Sequence, residues 1–380
     1  MMDYNSIIIR KPVFILPVFP EEDEKKMKKI ISVVLAAVTA LSIATGCSKI
    51  MEIKEVAENS EVESLVSAGS EFIDEITVAV PTKDRAGNDI KVPENVEKIV
   101  SMAPSTTQVL VELGLGDKIV GIDTNSASFA DKLPSGVAQF DMMAPDNEAI
   151  AALSPDLVFT SGMSSVGGTS PFQSLVDSGV CVADIPTPSS IEGICDDIEF
   201  IGACVGKGYE ALAYSKGLTV FMQGIEEQGK TVPEGEQKTV LVMMNVPDAE
   251  YPTIYTFGKD TYMNEMIEML GAKNAFGEKS GWLAVSVEEA IAANPDVILM
   301  DCNWLPGAAD QVKALEGWEE VKAIKDGAVY QIDEDLCSRP NHHVGEATLE
   351  WGKYIYADKF GNYTQSFDEL KDEFIEKVVG

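Results

Sequence analysis

The sequence predicts an α/β protein of two lobes, each with a mainly parallel sheet, joined by a single long rigid helix. Short β-branched runs alternate with helical stretches in two regions of the 380-residue chain, which is typical of parallel sheets covered by helices. One phrase occurs twice, as EAIAALSPDLVFTSG from Glu148 and as EAIAANPDVILMDCN from Glu289. The simplest interpretation is an internal duplication that places the two copies at equivalent points of two Rossmann-like lobes.

The first alternating region predicts an N-terminal lobe over residues 76–205. A hairpin around DRAGND leads into it, and its first helix, STTQVLVELG, is expected to have Ser105 as N-cap and to stop at Gly114. NEAIAAL and PFQSLVDSG are further predicted helices. The predicted strands of this lobe are KIVSM, KIVGID, PDLVFTS and VCVADIP.

A long helical region follows, and its later part, residues 206–230, predicts the connecting helix. A helix of about 20 residues spans about 30 Å, enough to bridge two lobes. The alternation then restarts and predicts a C-terminal lobe over residues 237–360, with helices in DTYMNEMIEMLG and VEEAIAA. Residues 361–380 predict a terminal helix. The predicted strands of the second lobe are KTVLVMMNV, TIYTFG, PDVILMD and AVYQID.

Residues 27–46 predict the signal peptide of an exported lipoprotein. Two lysines precede an apolar run that is too short for a stable membrane span, and the ending ATGC resembles a bacterial lipobox with Cys47 as the acylated residue. Residues 47–75, rich in Glu, Ser and Lys, predict a flexible tether. Residues 1–26 are interpreted as a misassigned leader before a true start at Met27.

Composition and motifs narrow the possible functions. A formal net charge of −33 argues against nucleic-acid binding, which requires a basic surface. The sequence around Gly162 and Ser164 has Val166 where a hydrolase nucleophile elbow needs glycine. Five cysteines beyond Cys47 match no zinc or redox spacing, so they are expected to be buried thiols, with one disulfide possible but not assignable: Cys181, Cys195, Cys204, Cys302 and Cys337.

Several side chains follow predicted strands, where open α/β sheets bind ligands. Met142, Met143 and Met163 occupy such loops and are candidates for an adaptable apolar wall. The two histidines of the chain, His342 and His343, are adjacent. Because neighbouring side chains diverge, we do not expect both to bind one ion; they form a surface pair, or one of them, His342, faces a ligand.

Five landmarks, in order, carry a resemblance to a known family. They are DRAGNDIKVPENVEKIVSMAPSTTQVLVELGLGDKIVGID, IAALSPDLVFTSG, FGKDTYMNEMIEMLGAKNAFGE, VEEAIAANPDVILM and IKDGAVYQID. Over residues 80–360 the chain resembles the substrate-binding proteins of ABC importers for iron-siderophores, haem and cobalamin. The resemblance implies a monomeric binding protein without catalysis or cofactor, anchored to the outer face of the cell membrane by lipid on Cys47, that delivers its ligand to a permease dimer with its ATPase.

Site residues follow from the resemblance at matching positions. Glu148 and Glu288 match the glutamates that dock into arginine pockets of the two permease subunits. Ser105 and Thr106 match the helix start that faces the cleft, where free N–H groups favour an anion. The opposite wall is expected to present Tyr255, Trp282, Trp304 and Arg339.

Departures from the family pattern bear on the ligand. Met142 stands where the cobalamin branch has tryptophan, and only Arg85 and Arg339 follow the signal, whereas catecholate binders often use an arginine cluster. We therefore expect an iron-siderophore-type metal chelate, with haem or cobalamin as alternatives. A binding protein for free zinc or manganese and a secreted hydrolase are more distant alternatives.

Overall fold

The computed structural model describes residues 78–164, 170–248 and 250–378. The predicted leader, the signal peptide, the lipidation site at Cys47 and the tether lie outside these residues. None of the helices within the described residues is both long and apolar enough to cross a membrane.

The N-terminal lobe is a five-stranded parallel sheet with the strand order β3-β2-β1-β4-β5. Its main helix, α1 (Pro104–Glu112), follows β1. The shorter helices α2 (Asn147–Ala152) and α3 (Gln173–Asp177) precede and follow β4. The strands are β1 (Ile99–Ser101), β2 (Ile119–Asp123), β3 (Ala138–Phe140), β4 (Leu157–Ser161) and β5 (Cys181–Ile185).

Two long helices connect the lobes. The first, α4, spans Ile191–Cys204 and is capped by the Ser190 side chain, which accepts a hydrogen bond from the N–H of Gly193. The second, α5, spans Gly208–Gly229 and corresponds to the predicted connecting helix. The break between them lies in the segment VGKG, residues 205–208, where Gly206 has a φ of +73° that suits glycine.

The C-terminal lobe contains a four-stranded parallel sheet, β11-β10-β6-β8, and a separate antiparallel pair, β7-β9. Its strands are β6 (Thr239–Met243), β7 (Thr253–Phe257), β8 (Lys273–Asn274), β9 (Trp282–Ser286), β10 (Val297–Met300) and β11 (Val329–Gln331). Its helices are α6 (Tyr262–Met269), α7 (Val287–Ala293), α8 (Ala308–Lys313), α9 (Lys322–Lys325), α10 (Glu334–Cys337), α11 (Val344–Ile355), α12 (Ala357–Phe360) and the terminal α13 (Phe367–Val378).

One continuous hydrophobic core joins the lobes on the side of the connecting helices. Alternate strand residues, such as Phe159 of β4 and Val242 of β6, point into this core together with Phe221 of α5. The other strand residues, such as Val158 and Leu241, point into a separate core within each lobe. The two sheets are therefore covered on one face by shared helices, which hold the lobes as one compact unit.

The repeated phrase occupies equivalent positions in the two lobes. Glu148 and Glu288 are each the second residue of their helix, α2 and α7. The residues before the two Pro-Asp pairs, Ser154 and Asn294, both adopt left-handed backbone, with φ of 52° and 44°. Each copy is thus a short helix, a left-handed turn and a buried strand, as the duplication predicts.

Some local predictions are wrong. Helix α1 begins at Pro104 with Ala103 as N-cap, not Ser105, because proline has the φ of a helix and no N–H to satisfy. The predicted hairpin is a single antiparallel bridge between Lys83 and Asp89. Strand β9 and helix α11 were not predicted. Gly114 does end α1, with a φ of +77°.

Candidate functional site

A cavity of about 720 Å³ lies between the two lobes. All five strands of the N-terminal sheet contribute to it at or just beyond their carboxyl ends, through Ala103, Asn125, Met142, Ser161 and Ile185. Met244, directly after β6, and residues around α10 form the opposite wall. This is the edge where parallel α/β sheets bind ligands.

The start of α1 forms part of the N-terminal wall. Ser105 and Thr106 line the cavity in the first turn of this helix. No side chain caps the turn, so the helix N–H groups there have no intrahelical acceptor and are available to a ligand. Both residues therefore face the cavity, although neither is the N-cap.

Two thioethers expected in the cleft, Met142 and Met163, line the cavity, and Met244 adds a third. Met142 is buried, whereas Met163 is 65% exposed at the rim. Met244 lies inside the predicted strand KTVLVMMNV, whereas the observed β6 ends at Met243, so Met244 belongs to the loop at the carboxyl end of the strand. Flexible thioethers give this wall an apolar surface that can adapt to ligands of different shape.

The cavity lining contains the aromatic side chains of Trp282 and Tyr262. Trp282 begins β9, is 49% exposed and packs edge-on against Phe257 and Tyr262, with ring centroids 6.0 and 6.4 Å apart. Tyr262, at the first turn of α6, donates from its hydroxyl to the carbonyl of Cys337 at 2.8 Å. Tyr262 could not be recognised as a site residue from the sequence, because a tyrosine in an apolar helix is equally typical of a core.

Carboxylates outnumber cations in the cavity lining. Asp197, Glu334 and Asp335 belong to it, whereas Arg339 is the single basic side chain among the described residues that line it. Arg339 is already paired, because its Nη2 lies 2.7 Å from Asp335 Oδ1. The lining therefore carries an excess of negative charge, which opposes a strongly anionic ligand.

Asp197 is a buried carboxylate of the lining. Burial raises the pKa of its carboxyl group to about 6, although the Arg85 guanidinium, 2.6 Å away, favours the charged form. Arg85 also contacts Asp196 at 3.2 Å. Arg85, one of the two arginines after the predicted signal peptide, is therefore paired with a carboxylate of the cavity lining.

Arg339 spans the cleft. Its Nη2 donates to Ser128 Oγ of the N-terminal lobe at 3.2 Å, and its guanidinium lies 4.9 Å from the centre of the Phe129 ring. Close by, the Asn341 amide donates to Gln108 Oε1 at 3.0 Å. These contacts place the predicted arginine at the lobe junction as well as in the cavity wall.

Four of the predicted ligand-contacting residues lie outside the cavity lining: Met143, Tyr255, Trp304 and His342. Tyr255 is 55% exposed because it alternates in β7 with the buried Ile254 and Thr256, and side chains of a strand alternate between its faces. Met143 and Trp304 are exposed loop residues.

His342 is neither at the surface nor in the cleft. It is 2% exposed and stacks on Phe367 of α13, with ring centroids 5.1 Å apart. His342 Nε2 and His343 Nε2 contact the same carboxylate, that of Glu112, at 2.5 and 2.8 Å. The expectation that the two side chains diverge is wrong, because they lie in a turn before α11 rather than in an extended strand.

The electrostatics of this cluster follow from the shared carboxylate. Burial opposes ionisation of Glu112, but hydrogen bonds from both histidines outweigh it and hold the pKa of Glu112 well below its ordinary range. Burial lowers the pKa of His342. For His343 burial is outweighed by Glu112 and Glu346, which raise its pKa to about 9.

Glu148 and Glu288 are both exposed, one on each lobe. Local capping is provided by other side chains: Asp146 caps α2, and Ser286 with Glu289 forms a capping box at the start of α7. Neither glutamate is therefore required to cap its helix.

Comparisons with known proteins agree with this architecture, which is that of a binding protein with a ligand cleft between two lobes. A model of the family described as periplasmic binding protein matches residues 99–336. A Bacillus subtilis protein named as an uncharacterized ABC transporter substrate-binding lipoprotein, YvrC, is 31% identical over 337 residues, which cover 88% of this chain and 99% of the relative. The chain therefore belongs to the periplasmic binding protein family and is a substrate-binding protein of an ABC transporter.

Solved structures are similar as well. A possible iron-binding, periplasmic solute-binding protein from Staphylococcus epidermidis is 29% identical with a TM-score of 0.58, covering 69% of this chain and 100% of that one. The molybdate-binding protein MolA from Haemophilus influenzae is 20% identical with a TM-score of 0.64, covering 78% and 96%. At this lower identity MolA shows the shared fold alone.

Proposed function

We propose that this chain is a lipid-anchored receptor that captures an iron-siderophore-type chelate between its lobes and delivers it to an ABC permease. The main support for this proposal is the cavity of about 720 Å³ at the carboxyl ends of the N-terminal strands, a volume suited to a compact organic complex. The mechanism is binding and release by one monomer, without bond chemistry. The name of the Bacillus subtilis relative, a lipoprotein, supports the anchor at Cys47.

The charge of the cavity lining limits which class of chelate can bind. Of the three carboxylates in the lining, Asp197 is paired with Arg85 and Asp335 with Arg339, so the negative charge of Glu334 is left to repel a trianionic catecholate complex. A neutral or positively charged complex, such as a ferric hydroxamate, fits this wall better. Its apolar parts would contact Trp282 and the methionines, and its oxygen atoms would accept hydrogen bonds from the N–H groups at the start of α1.

Haem is the second candidate. The observation that favours it is the set of three thioethers in the lining, Met142, Met163 and Met244, since methionine sulfur is an axial ligand of haem iron in some proteins. Tyr262 is less suitable, because its hydroxyl is engaged with a backbone carbonyl.

Delivery would use both lobes. Glu148 and Glu288 are exposed at equivalent places of the two lobes, as two contacts with a permease dimer require. The shared core along the connecting helices supports a small hinge movement rather than a wide closure, because bending a continuous helix breaks its hydrogen bonds.

A ligand panel tests the proposal. The purified full-length chain would be titrated with a cationic ferric hydroxamate, a ferric catecholate, haem and cobalamin, with binding followed by tryptophan quenching and by calorimetry. We expect the hydroxamate to bind at least about tenfold more tightly than the catecholate, since a net charge difference in a partly buried site contributes over 1 kcal/mol. Preference for the catecholate would contradict the charge argument. No binding by any chelate, together with esterase activity, would overturn the proposed function.

A further inference from the structure

A cluster of two histidines and one glutamate lies at the lobe junction, outside the cavity lining. Glu112 is the last residue of α1 in the N-terminal lobe, whereas His342 and His343 directly precede α11 in the C-terminal lobe. One potential ligand atom from each of the three side chains lies within 4.8 Å of the other two. Side chains of types that can bind a metal thus converge from both lobes on one point.

The orientation of His343 suits a metal ligand. Its Nδ1 lies 2.8 Å from Glu346 Oε2, while its Nε2 points at Glu112. A carboxylate on the far ring nitrogen is the common outer contact of metal-binding histidines, because it fixes the ring and strengthens the ligand nitrogen. Glu346 supplies that contact here from the first turn of α11.

The surroundings combine a rigid wall with access from solvent. The His342 ring is packed between Phe367 and Tyr214, whose ring centroid lies 4.6 Å from its own. The side chains of His343 and Glu112 are 21% and 20% exposed. An ion can therefore enter from the side of His343 and Glu112 and meet a fixed His342.

The donor set and the charge select the class of ion. Two imidazoles and one carboxylate, with a water molecule in the fourth position, match zinc, whereas calcium and magnesium prefer oxygen ligands. With neutral imidazoles, the ionised Glu112 and Glu346 carry two negative charges, which a divalent cation balances. Bonds of about 2.0–2.1 Å place tetrahedral ligand atoms about 3.3 Å apart, so the present contacts of 2.5 and 2.8 Å need only small side-chain rotations.

We propose that Glu112, His342 and His343 bind one zinc-type divalent cation that ties the two lobes together at their junction. The ion is a resident of the receptor and not its cargo, so this inference goes beyond the transport function. It replaces the protons that now connect the three side chains, as metal binding to histidine requires.

The full-length chain, stripped with a chelator, would be titrated with ZnCl₂, and CoCl₂ would report the geometry through visible absorption. We expect one Zn²⁺ per chain, the strong absorption of four-coordinate Co²⁺, and a rise in the unfolding temperature. Glu112→Gln and His343→Gln should each weaken Zn²⁺ binding about 100-fold or more, because each removes a ligand. Glu346→Gln, which only loosens the outer contact, should weaken it about tenfold.

Two control variants separate this site from others. Glu97→Gln removes an exposed carboxylate that pairs with Lys118, and Glu334→Gln removes a carboxylate of the cleft. Both should leave Zn²⁺ affinity unchanged. A loss of Zn²⁺ affinity in Glu334→Gln would place the ion in the cleft as cargo and overturn the proposal. Unchanged Zn²⁺ affinity in both single variants, Glu346→Gln and His343→Gln, would also overturn it. Circular dichroism checks that each variant is folded. If a histidine variant unfolds, the Zn²⁺ affinity of Glu346→Gln, a change at a partly exposed residue, tests the proposal instead.

Discussion

Asp156 and Asp296 make equivalent contacts in the two lobes. Asp156 Oδ2 accepts hydrogen bonds from the backbone N–H groups of Glu97 and Lys98, both at 2.9 Å, just before β1. Asp296 Oδ2 accepts one from Thr239 at 2.6 Å, at the start of β6. The Pro-Asp pair of the repeat therefore fixes the start of each central strand against its neighbour.

Replacing Asp156 should destabilise the fold without affecting the cleft. Asp156→Ala leaves two backbone N–H groups without their acceptor, and we expect the free energy of unfolding to fall by about 1–2 kcal/mol. Urea unfolding measures this change. Asp117→Ala, at an exposed aspartate, should change stability by less than about 0.5 kcal/mol. Equal losses in the two variants would contradict a specific role for the Pro-Asp contact.

The two exposed tryptophans should differ in their effect on ligand binding. Trp282 lines the cavity, whereas Trp304, at 66% exposure, does not. Trp282→Ala should weaken the binding of a recognised chelate by roughly tenfold or more, because aromatic contacts dominate binding sites. Trp304→Ala should leave affinity unchanged. Calorimetry is the appropriate measurement, since both variants alter tryptophan fluorescence. An equal loss of chelate affinity in Trp304→Ala would show that the chelate also contacts residues outside the cavity lining.

Charge reversal at the docking glutamates should uncouple transport from binding. Glu148→Arg and Glu288→Arg together should abolish uptake by cells that express the permease, while the affinity for the chelate stays the same. The cost to each helix is well under about 1 kcal/mol, because the residues are exposed. Glu234→Arg, an exposed reversal on the 3-10 helix before β6, should leave uptake intact. Reduced ligand affinity in the double variant would indicate a folding role instead.

Stability should depend on pH through Asp301. This residue is 3% exposed and accepts hydrogen bonds from Ser338 Oγ at 2.7 Å and Cys337 Sγ at 3.2 Å. Burial raises its pKa from the ordinary 3.8 to about 6, although both hydrogen bonds favour the charged form. Between these values the folded state keeps a proton that the unfolded state has released, so the free energy of unfolding falls as pH rises through this window.

Asp301→Asn isolates this contribution. Between about pH 4 and about pH 6.5 the free energy of unfolding should fall by on the order of 2 kcal/mol more in the wild type than in the variant. Urea midpoints at the two pH values measure the difference, and Asp117→Asn serves as the control at an exposed position. Identical pH profiles of wild type and Asp301→Asn would show that Asp301 stays ionised throughout.

Much of the fold was predictable because it depends on local patterns. Buried parallel strands such as β4 and β10 are continuous apolar runs, and the prolines and glycines beside them mark the turns. Strand β9 was missed because Trp282–Val285 is apolar at exposed and buried positions alike, so the sequence shows no alternation, and its pairing with the distant β7 depends on tertiary contacts. Helix α11 was missed because no side chain caps its start and it contains two glycines, Gly345 and Gly352, so the local helix signals are weak.

The candidate site was predictable where residues directly follow strands. Ser105, Met142 and Met163 lie in the cavity lining because the carboxyl ends of parallel strands share one edge of the sheet. Tyr255 and Trp304 lie outside it, because the side to which a strand or loop residue points is set by how the sheets twist and pack. The missed Asp197 and Tyr262 lie on helices whose faces become cleft walls only when the lobes meet.

The sequence by itself determined the α/β class, the two-lobed duplication, the connecting helix and the equivalence of Glu148 and Glu288, since these depend on periodicity and spacing along the chain. Tertiary structure decided which side chains share a surface. It placed His342 and His343 on one carboxylate, that of Glu112, and left the cleft with an excess of negative charge. The physical reason is that these contacts join residues far apart in the chain, and only the packing of one lobe on the other sets their distances.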